Sequence, residues 1–583
     1  MKSKKLLISL GLAVVLAVAF ALPACNGEGE KASGWYTPEG ERIEFEISAI
    51  GGKWGDMALM VTSNLQDLGL DVKHRIIDST TYYEYLYEPN LGGMQAFISG
   101  EDPSPDPWSD WIWMMLSDPE SSGYLWNPCW YDNEHYTELM MDNFLASNLS
   151  AKKEILFEMQ EILAEDLPVI FLTRDDFIAA HRTDTWDNWF NELGGYVSWI
   201  NEWSIREVTP LTDDKQLNIG TLSLPTNLLM NESALTYTGV GCLYLMLVYE
   251  NLCFFPKVDE ASMEANPNAA YEWVPKLAKT YSISYEYDGK GRYNQVWTIN
   301  LQEGVKWHDY DTSGEYLDAD DVVYTVKYAM TRWGNNRPVD WDWVYNTTNP
   351  NCGDITPDDM LVEKTGPLQV TFTYIEGYHQ NEGFFPSCFL WKPIVPKHKF
   401  EGKDPYEETG DYIGTGPYIL EEFVPDEYML LERNDDYWGP LPEAEKVLFK
   451  LYPDLGSMLL ALEAGEIDTI THEGVPQEKV VDYMANPNIE VEVVPGLSVN
   501  YLGFNLHPTE GYEPLQDLAL REAIAAAIDK QGIVDLVHRG YGEIADSWTY
   551  NESPNHHPSL PNTEYDPTKA RQILLDAGYT YVE

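Results

Sequence analysis

The chain has 583 residues, enough at about 150 residues per domain for three or four structural units, and its 44% hydrophobic content supplies a sizeable core. It carries 95 acidic against 37 basic residues, a formal net charge of -58. Such a surface repels phosphate, which argues against nucleic acid as a partner, and it reads as a heavily solvated acidic exterior.

In chain order, "MKSKK" supplies a basic start and "LLISLGLAVVLAVAFALPA" an uncharged apolar stretch, the pattern of a targeting segment over 1–24. It ends in "LPAC", similar to a bacterial lipobox, with Cys25 as the residue that would be lipid-modified. An uncleaved anchor is the alternative, and both readings put the remainder outside the cytoplasm. Residues 25–34 read as a polar, lipid-anchored tether. The other cysteines are Cys129, Cys242, Cys253, Cys352 and Cys388. Five is odd and no CxxC occurs, so neither a small disulfide framework nor a zinc ribbon is expected; one or two bridges stay open.

"RIEFEISAI" alternates apolar and polar residues as a half-buried strand does, and "MALMVTSNLQDLGLDVKHRII" predicts a helix ending near Gly69 and a second strand. "SAKKEILFEMQEILAEDLPVIFL" predicts a helix from Ser150, with Ile155, Leu156, Met159, Ile162 and Leu163 on one face, then a buried strand after Pro168. "TPLTDDKQ" at 209–216 reads as a polar join, after which "LNIGTLSL" starts a new strand. The region from about 270 to 400 reads as strands and loops. "GSMLLALEAGEID" and "LALREAIAAAIDKQGIVDLV" predict helices. At the end, Asp566 caps a helix with Pro567 at its first position, Ala570, Ile573, Leu574 and Ala577 on its apolar face and Gly578 as its left-handed stop. A strand should follow, yet only five residues remain. Alternating helices and strands predict an α/β protein.

"WTINLQEGVKWHDYDTSGEYLDADDVVYTVKYA" (297–329) resembles the signature of the extracytoplasmic solute-binding proteins of family 5, the dipeptide- and oligopeptide-type receptors of ABC importers. "GTGPYILEEFVPDEYMLLERNDDYWG", "LEAGEIDTI", "YLGFNLHP", "LREAIAAAIDKQGIVDLVHRGYG" and "DPTKARQILLDAGY" match further family stretches in the family's order. The resemblance implies a two-lobed, periplasmic-binding-protein-like α/β fold of the peptide-receptor type, with an extra smaller domain. It also implies binding without catalysis or cofactor.

In the family, the "AGY" helix is followed by a turn and the strand that opens the rest of the second lobe. Here that continuation resembles "GWYTPEGERIEFEISAIGG" (34–52), at the other end of the chain. The resemblance therefore implies a circularly permuted receptor. Residues 35–209 correspond to the family's C-terminal segment, most of lobe 2, returning to lobe 1 near 190. After a join at 210–216, residues 217–583 supply lobe 1, the extra domain at about 256–400 and the start of lobe 2 from about 505. A fragment of a tandem array is the alternative. The interlobe crossings are expected at 490–505 and near 178–198.

By the same resemblance, a carboxylate in "FISGEDPSPDPW" (97–108) would pair with a peptide α-amine, with Glu101 and Asp102 competing and Asp106 in a turn role. Trp108 and Trp111, with Trp113 beside them, would offer aromatic faces to a ligand or pack in the core. Asn505, read as a hinge residue, would serve either the ligand or the backbone. The stretch "ISAIGGKWGD" has no arginine for a ligand carboxylate and only Lys53 nearby, which counts against dipeptides. Trp438 reads as structural, His308 as part of the family turn, and His556-His557 as solvated loop residues; no metal site is expected. The implied partners are a peptide or similar oligomeric solute, an ABC permease with its ATPase, and the membrane through the lipid anchor, for a monomeric receptor. Oligosaccharide or metal-chelate binding is the alternative within the family. An acidic hydrolase or a sensor lipoprotein is the alternative outside it, although no GxSxG, HExxH or P-loop pattern occurs.

Overall fold

The structure is a computed structural model that describes residues 31–86, 91–101, 127–146, 149–190, 202–228, 239–254, 274–287, 293–326, 361–374, 393–403 and 410–583. Within the last range it omits 472–473, 497, 552 and 562, and it adds the single positions 257, 262 and 266. A three-residue strand, β1 (Gly34–Tyr36), comes first. The alternating segment forms β2 (Glu44–Ile50), which turns Phe45, Ile47 and Ala49 into the core. Helix α1 (Lys53–Leu68) buries Met57, Val61, Leu65 and Leu68 at helical spacing and stops on Gly69 at φ 99°. Then come β3 (Asp71–Ile77), β4 (Ala96–Glu101) and α2 (Leu149–Asp166), whose Leu156, Met159 and Leu163 are buried.

Two strands follow almost without a break, β5 (Val169–Asp175) and β6 (Phe177–Arg182). After the short helix α3 (Trp203–Glu207) lie β7 (Gln216–Thr221) and α4 (Gly239–Leu247). The region expected to be strands and loops gives β8 (Ala278–Tyr287), β9 (Tyr293–Leu301), β10 (Leu361–Gly366) and β11 (Gln369–Tyr374). Next are β12 (Tyr418–Val424), β13 (Tyr428–Arg433) and β14 (Lys446–Leu451). Helix α5 (Leu455–Ala464), β15 (Thr469–Ile470), β16 (Ile489–Val494) and β17 (Val499–Phe504) follow. The chain ends through α6 (Leu518–Ala527), α7 (Lys530–Leu536), β18 (Gly542–Ile544), α8 (Pro567–Asp576) and β19 (Thr580–Val582).

All of these strands but β1 and β19 build two large sheets and one smaller one. The order β18-β5-β17-β4-β2-β3 makes a six-stranded sheet, and β12-β13-β14-β7-β15-β6-β16 makes a seven-stranded one. The antiparallel order β8-β9-β11-β10 forms the extra sheet, whose core gathers Trp297, Ile299, Trp307, Val370 and Phe372. A buried charge cluster lies beside it. Arg206 Nε donates to Glu202 Oε2 at 2.7 Å, Lys276 pairs with the other Glu202 oxygen, and Glu250 accepts from Tyr437 Oη and Trp438 Nε1, both at 2.7 Å. With two cations against two carboxylates, the cluster tolerates burial where a lone charge would not. Trp438 is thus part of the framework.

The far ends of the chain meet. The expected cap forms, since Asp566 accepts from the N–H of Thr568 and Lys569, both at 2.9 Å. The strand that should follow is β19, and its partner is β1, antiparallel, with Trp35 opposite Tyr581 and Tyr36 opposite Thr580. One core takes Trp35, Phe45, Ile47 and Val61 from one end of the chain and Leu520, Ile524, Ala570 and Leu574 from the other. Each Val, Leu, Ile or Phe side chain among them contributes about 1.5–3 kcal/mol by leaving water.

The family-like turn is held by close backbone contact. Gly414 N donates to His308 Nδ1 at 3.2 Å and the ring's Nε2–H donates to Gly416 O at 3.0 Å. These bonds suit the neutral ring, and burial pushes its pKa down to about 4. A Cβ on Gly414 would lie 1.9 Å from Val248 O, so the turn can sit against the end of α4 only as glycine. Gly304, at φ +78° with open space around it, is a control. Gly414→Ala is expected to cost roughly 3 kcal/mol or more, against about 1 kcal/mol for Gly304→Ala, as read by chemical unfolding.

Candidate ligand-binding site

The two large sheets are joined by chain that crosses twice. β5 lies in the six-stranded sheet and β6 in the seven-stranded sheet, with Asp176 between them. β16 and β17 make the reverse passage through 495–498. The crossings touch, since a Cβ on Gly496 would fall 1.8 Å from Asp175 O. One crossing lies within the expected 490–505. The other, expected near 178–198, lies at 175–177, and β6 is already part of the second sheet. The charged Arg174 and Asp175 end β5, and Asp176 alone links it to β6 in the other sheet.

Strand direction locates the site. β4 and β5 are both antiparallel to β17, and β2 is parallel to β4, so β2, β4 and β5 all end at the edge where the chain crosses. β15 is antiparallel to β6 and parallel to β7, so β7 and β15 end at the same crossings from the opposite side. Ligands of α/β sheets bind outside the carboxyl ends of strands, where loops are free to carry polar groups. The candidate site is the crevice between these two edges.

On the six-stranded side that edge is organised by Asn500 and Asp175. Trp54 Nε1 donates to Asn500 Oδ1 at 3.0 Å, and Asn500 Nδ2 donates to Asp175 Oδ1 at 2.8 Å. The other Asp175 oxygen pairs with Lys53. Thr173 Oγ1 meets His538 Nε2 at 2.7 Å. Burial pushes the Asp175 carboxyl up, but the Lys53 ammonium and the Asn500 amide outweigh it and hold the group below the usual carboxylate range. The edge therefore carries a fixed anion–cation pair within a hydrogen-bonded brace.

Glu101 is the last residue of β4, its main chain paired with Val499, so its backbone stands at this edge. Asp102, Asp106, Trp108, Trp111 and Trp113 lie outside the described residues. Asn505 is not brought to the edge. It follows β17, at the end remote from the crossing, where Nδ2 donates to Met94 O at 3.0 Å and Oδ1 accepts from His507 N at 3.1 Å. The asparagine that stands at the crossing is Asn500. In "SVNYLGFN" both asparagines flank the same apolar strand, and only strand direction tells which one stands at the crossing. Lys53 stands at the edge but is engaged by Asp175. Cys25 lies outside the described residues, and Cys129, Cys242 and Cys253 are buried. His556 and His557 pair with Asp546 at 2.7 Å and Glu161 at 3.1 Å. Among the described residues no cluster of His, Cys, Asp and Glu is arranged to hold a metal, and no helix is long and apolar enough to cross a membrane.

The family model for bacterial extracellular solute-binding proteins, family 5 middle, matches residues 262–583. The chain belongs to that family, and its two-lobed α/β fold with an additional sheet is the family's. It is 28% identical over 321 residues to the di/tripeptide-binding protein 3 of Pseudomonas aeruginosa, covering 52% of this chain and 55% of the relative. It is 29% identical over 346 residues to the oligopeptide-binding protein AppA of Bacillus subtilis, covering 55% and 56%. With the nickel-binding periplasmic protein of Escherichia coli the identity is 28% over 309 residues, covering 53% of each. The chain spans about half the length of the curated relatives it matches.

The brace predicts an acid-dependent stability difference. Asp175→Asn removes the Lys53 ion pair, and because Lys53 is half-exposed the loss is about 1–2 kcal/mol at neutral pH. A carboxyl whose folded pKa is depressed stabilises above its ordinary value near 4 and loses that contribution as pH falls through the folded pKa. The parent should therefore exceed Asp175→Asn in stability at pH 7, and the gap should narrow below about pH 4. Urea unfolding at both pH values measures it; a gap that does not change with pH removes the role assigned to this ion pair.

Proposed function

We propose that this protein is an extracytoplasmic receptor that captures peptides or similar oligomeric solutes between its two lobes and delivers them to an ABC permease driven by its ATPase. The observation that carries this reading is the pair of touching crossings, with strand ends from both sheets converging on one crevice, in a chain of the solute-binding family. Two sheets linked by two short crossings can close on a ligand by a hinge motion, the closed form being selected by contacts made to both lobes. The work is binding, without catalysis or cofactor, and the receptor acts as a monomer held to the membrane through a lipid on Cys25.

A peptide α-amine would be anchored by Glu101 or Asp102, at the tip of β4, because a buried ammonium needs a carboxylate partner. Trp108 and Trp111 would supply apolar faces beside it. Lys53 is engaged by Asp175, which favours capture by the amine end over capture of a terminal carboxylate. Asn505 serves the backbone in this reading.

The chain order is read as a circular permutation. Residues 35–209 take the role of the family's C-terminal segment, 210–216 form the join, and 217–583 hold the first lobe, the extra domain and the beginning of the second lobe. Two features support it: β1 pairs with β19, and one sheet combines strands from 44–101 with strands from 499–544. Relocated termini are tolerated in surface loops because packed contacts do not need continuous sequence.

Thermal-shift screening of residues 26–583 against peptide, glucan and metal-chelate libraries tests the function. A bound ligand raises the apparent stability by mass action, about 2.7 kcal/mol at a hundredfold excess over Kd. A short or medium peptide is the expected hit, with the shift reduced by Glu101→Gln or Asp102→Asn. Unchanged affinity in both variants removes the acidic anchor, and a glucan or chelate hit without any peptide hit removes the peptide reading.

A further inference from the structure

The turn between α7 and β18 stands at the crossing, and its backbone is pinned to the six-stranded lobe. His538 Nε2 and Thr173 Oγ1 of β5 lie 2.7 Å apart, and the N–H of Tyr541 donates to His538 O at 2.8 Å. Arg539 at φ 54° and Gly540 at φ 83° fold the chain back through the left-handed region. Gly542 then pairs with Asp175, so close to β5 that a Cβ there would fall 2.4 Å from Arg174 O. Between them, Tyr541 O accepts from the N–H of Asp176, the residue that links the two sheets, at 3.3 Å. The backbone of Tyr541 therefore moves with the end of β5.

The Tyr541 side chain goes the other way. It packs, half-buried, against the core that contains Ile178 of β6, Met458 of α5, Ile470 of β15 and Val475. Among the described residues, every other member of that core belongs to the seven-stranded lobe. Besides the two covalent crossings, the lobes are thus joined by an aromatic ring carried on one and seated on the other.

We infer that Tyr541 is a positioning residue for lobe closure, its seated ring favouring one angle between the lobes. The inference rests on the hinge reading given under the proposed function and deepens it by naming a side chain that biases the hinge. The crossings fix where the lobes meet, and the ring adds a preference for how they lie. Because the turn is pinned, the ring cannot follow the seven-stranded lobe when that lobe rotates. It must slide over the apolar surface or leave it, and either loses buried contact. Tyr541 then acts on capture through the population of lobe arrangements from which a solute selects.

Spin-label distance measurement on the full chain in detergent tests this. Labels go on Thr80→Cys, just after β3, and Glu427→Cys, between β12 and β13, both exposed and one on each lobe. The background is Cys25→Ser/Cys352→Ser/Cys388→Ser, with Cys129, Cys242 and Cys253 shielded by burial. Without added ligand, Tyr541→Ala is expected to broaden the distance distribution and shift its mean by several ångström. Tyr541→Phe keeps the ring and is expected to match the parent. Tyr541→Leu is expected to broaden it less, and it serves if the alanine variant does not fold. A distribution unchanged in the folded alanine or leucine variant overturns the inference, even where thermal stability falls, because a merely local packing role costs stability alone. Adding the peptide library to the parent tests the underlying reading separately. Peptide that raises the melting temperature yet leaves the parent's distance unchanged overturns capture by closure, a failure distinct from that of the ring.

Discussion

The pairing of β1 with β19 is the constraint on which the six-stranded lobe depends. Without it, Trp35 and Tyr581, whose rings lie 5.3 Å apart, lose each other. The C-terminal end of α1 then faces water, and α8 has less to cover its apolar stripe. Packing is close enough that a Cβ on Gly69 would fall 2.6 Å from the Tyr581 ring. Glycine there both ends α1 in the left-handed conformation and admits the ring of the last strand. A backbone stop signal and a long-range contact thus fall on one residue.

The second constraint is the contact between the crossings. Gly496 against the Asp175 carbonyl leaves no room for a side chain between the two links, so the lobes cannot slide apart at the hinge without breaking that contact. Asn500 ties both crossings to Trp54 at the start of α1. Movement of the lobes must then be absorbed by the few residues between strands, which is the geometry of a hinge and not of a shear interface. In the proposed function, a solute touching both edges would hold the hinge shut.

Much of this was legible in the sequence, for local reasons. The Asp566-Pro567 cap, the Gly69 stop, the alternating β2 segment and the apolar face of α2 are set by residues close in sequence, and they stand where their patterns place them. The motif stretches carried the family. The site was less legible. Asn505 and Asn500 look alike in sequence, and only the direction of β17 separates a backbone brace at one end from a crossing residue at the other. The Asp175–Lys53 pair joins residues far apart in the chain, and no periodicity announces it. The crossing at 175–177 is less legible because a single residue, Asp176, separates two strands that belong to different sheets.

The most direct test of the account is whether the two ends pair within a single chain. In Tyr36→Cys/Thr580→Cys, the two positions face each other across the antiparallel pair, at a separation of about 5 Å that suits a disulfide. The account predicts that mild oxidation gives an intramolecular bridge, seen as a monomer of altered mobility on a non-reducing gel and higher thermal stability. Cross-linked dimers, or thiols that stay free in the folded protein, would contradict it.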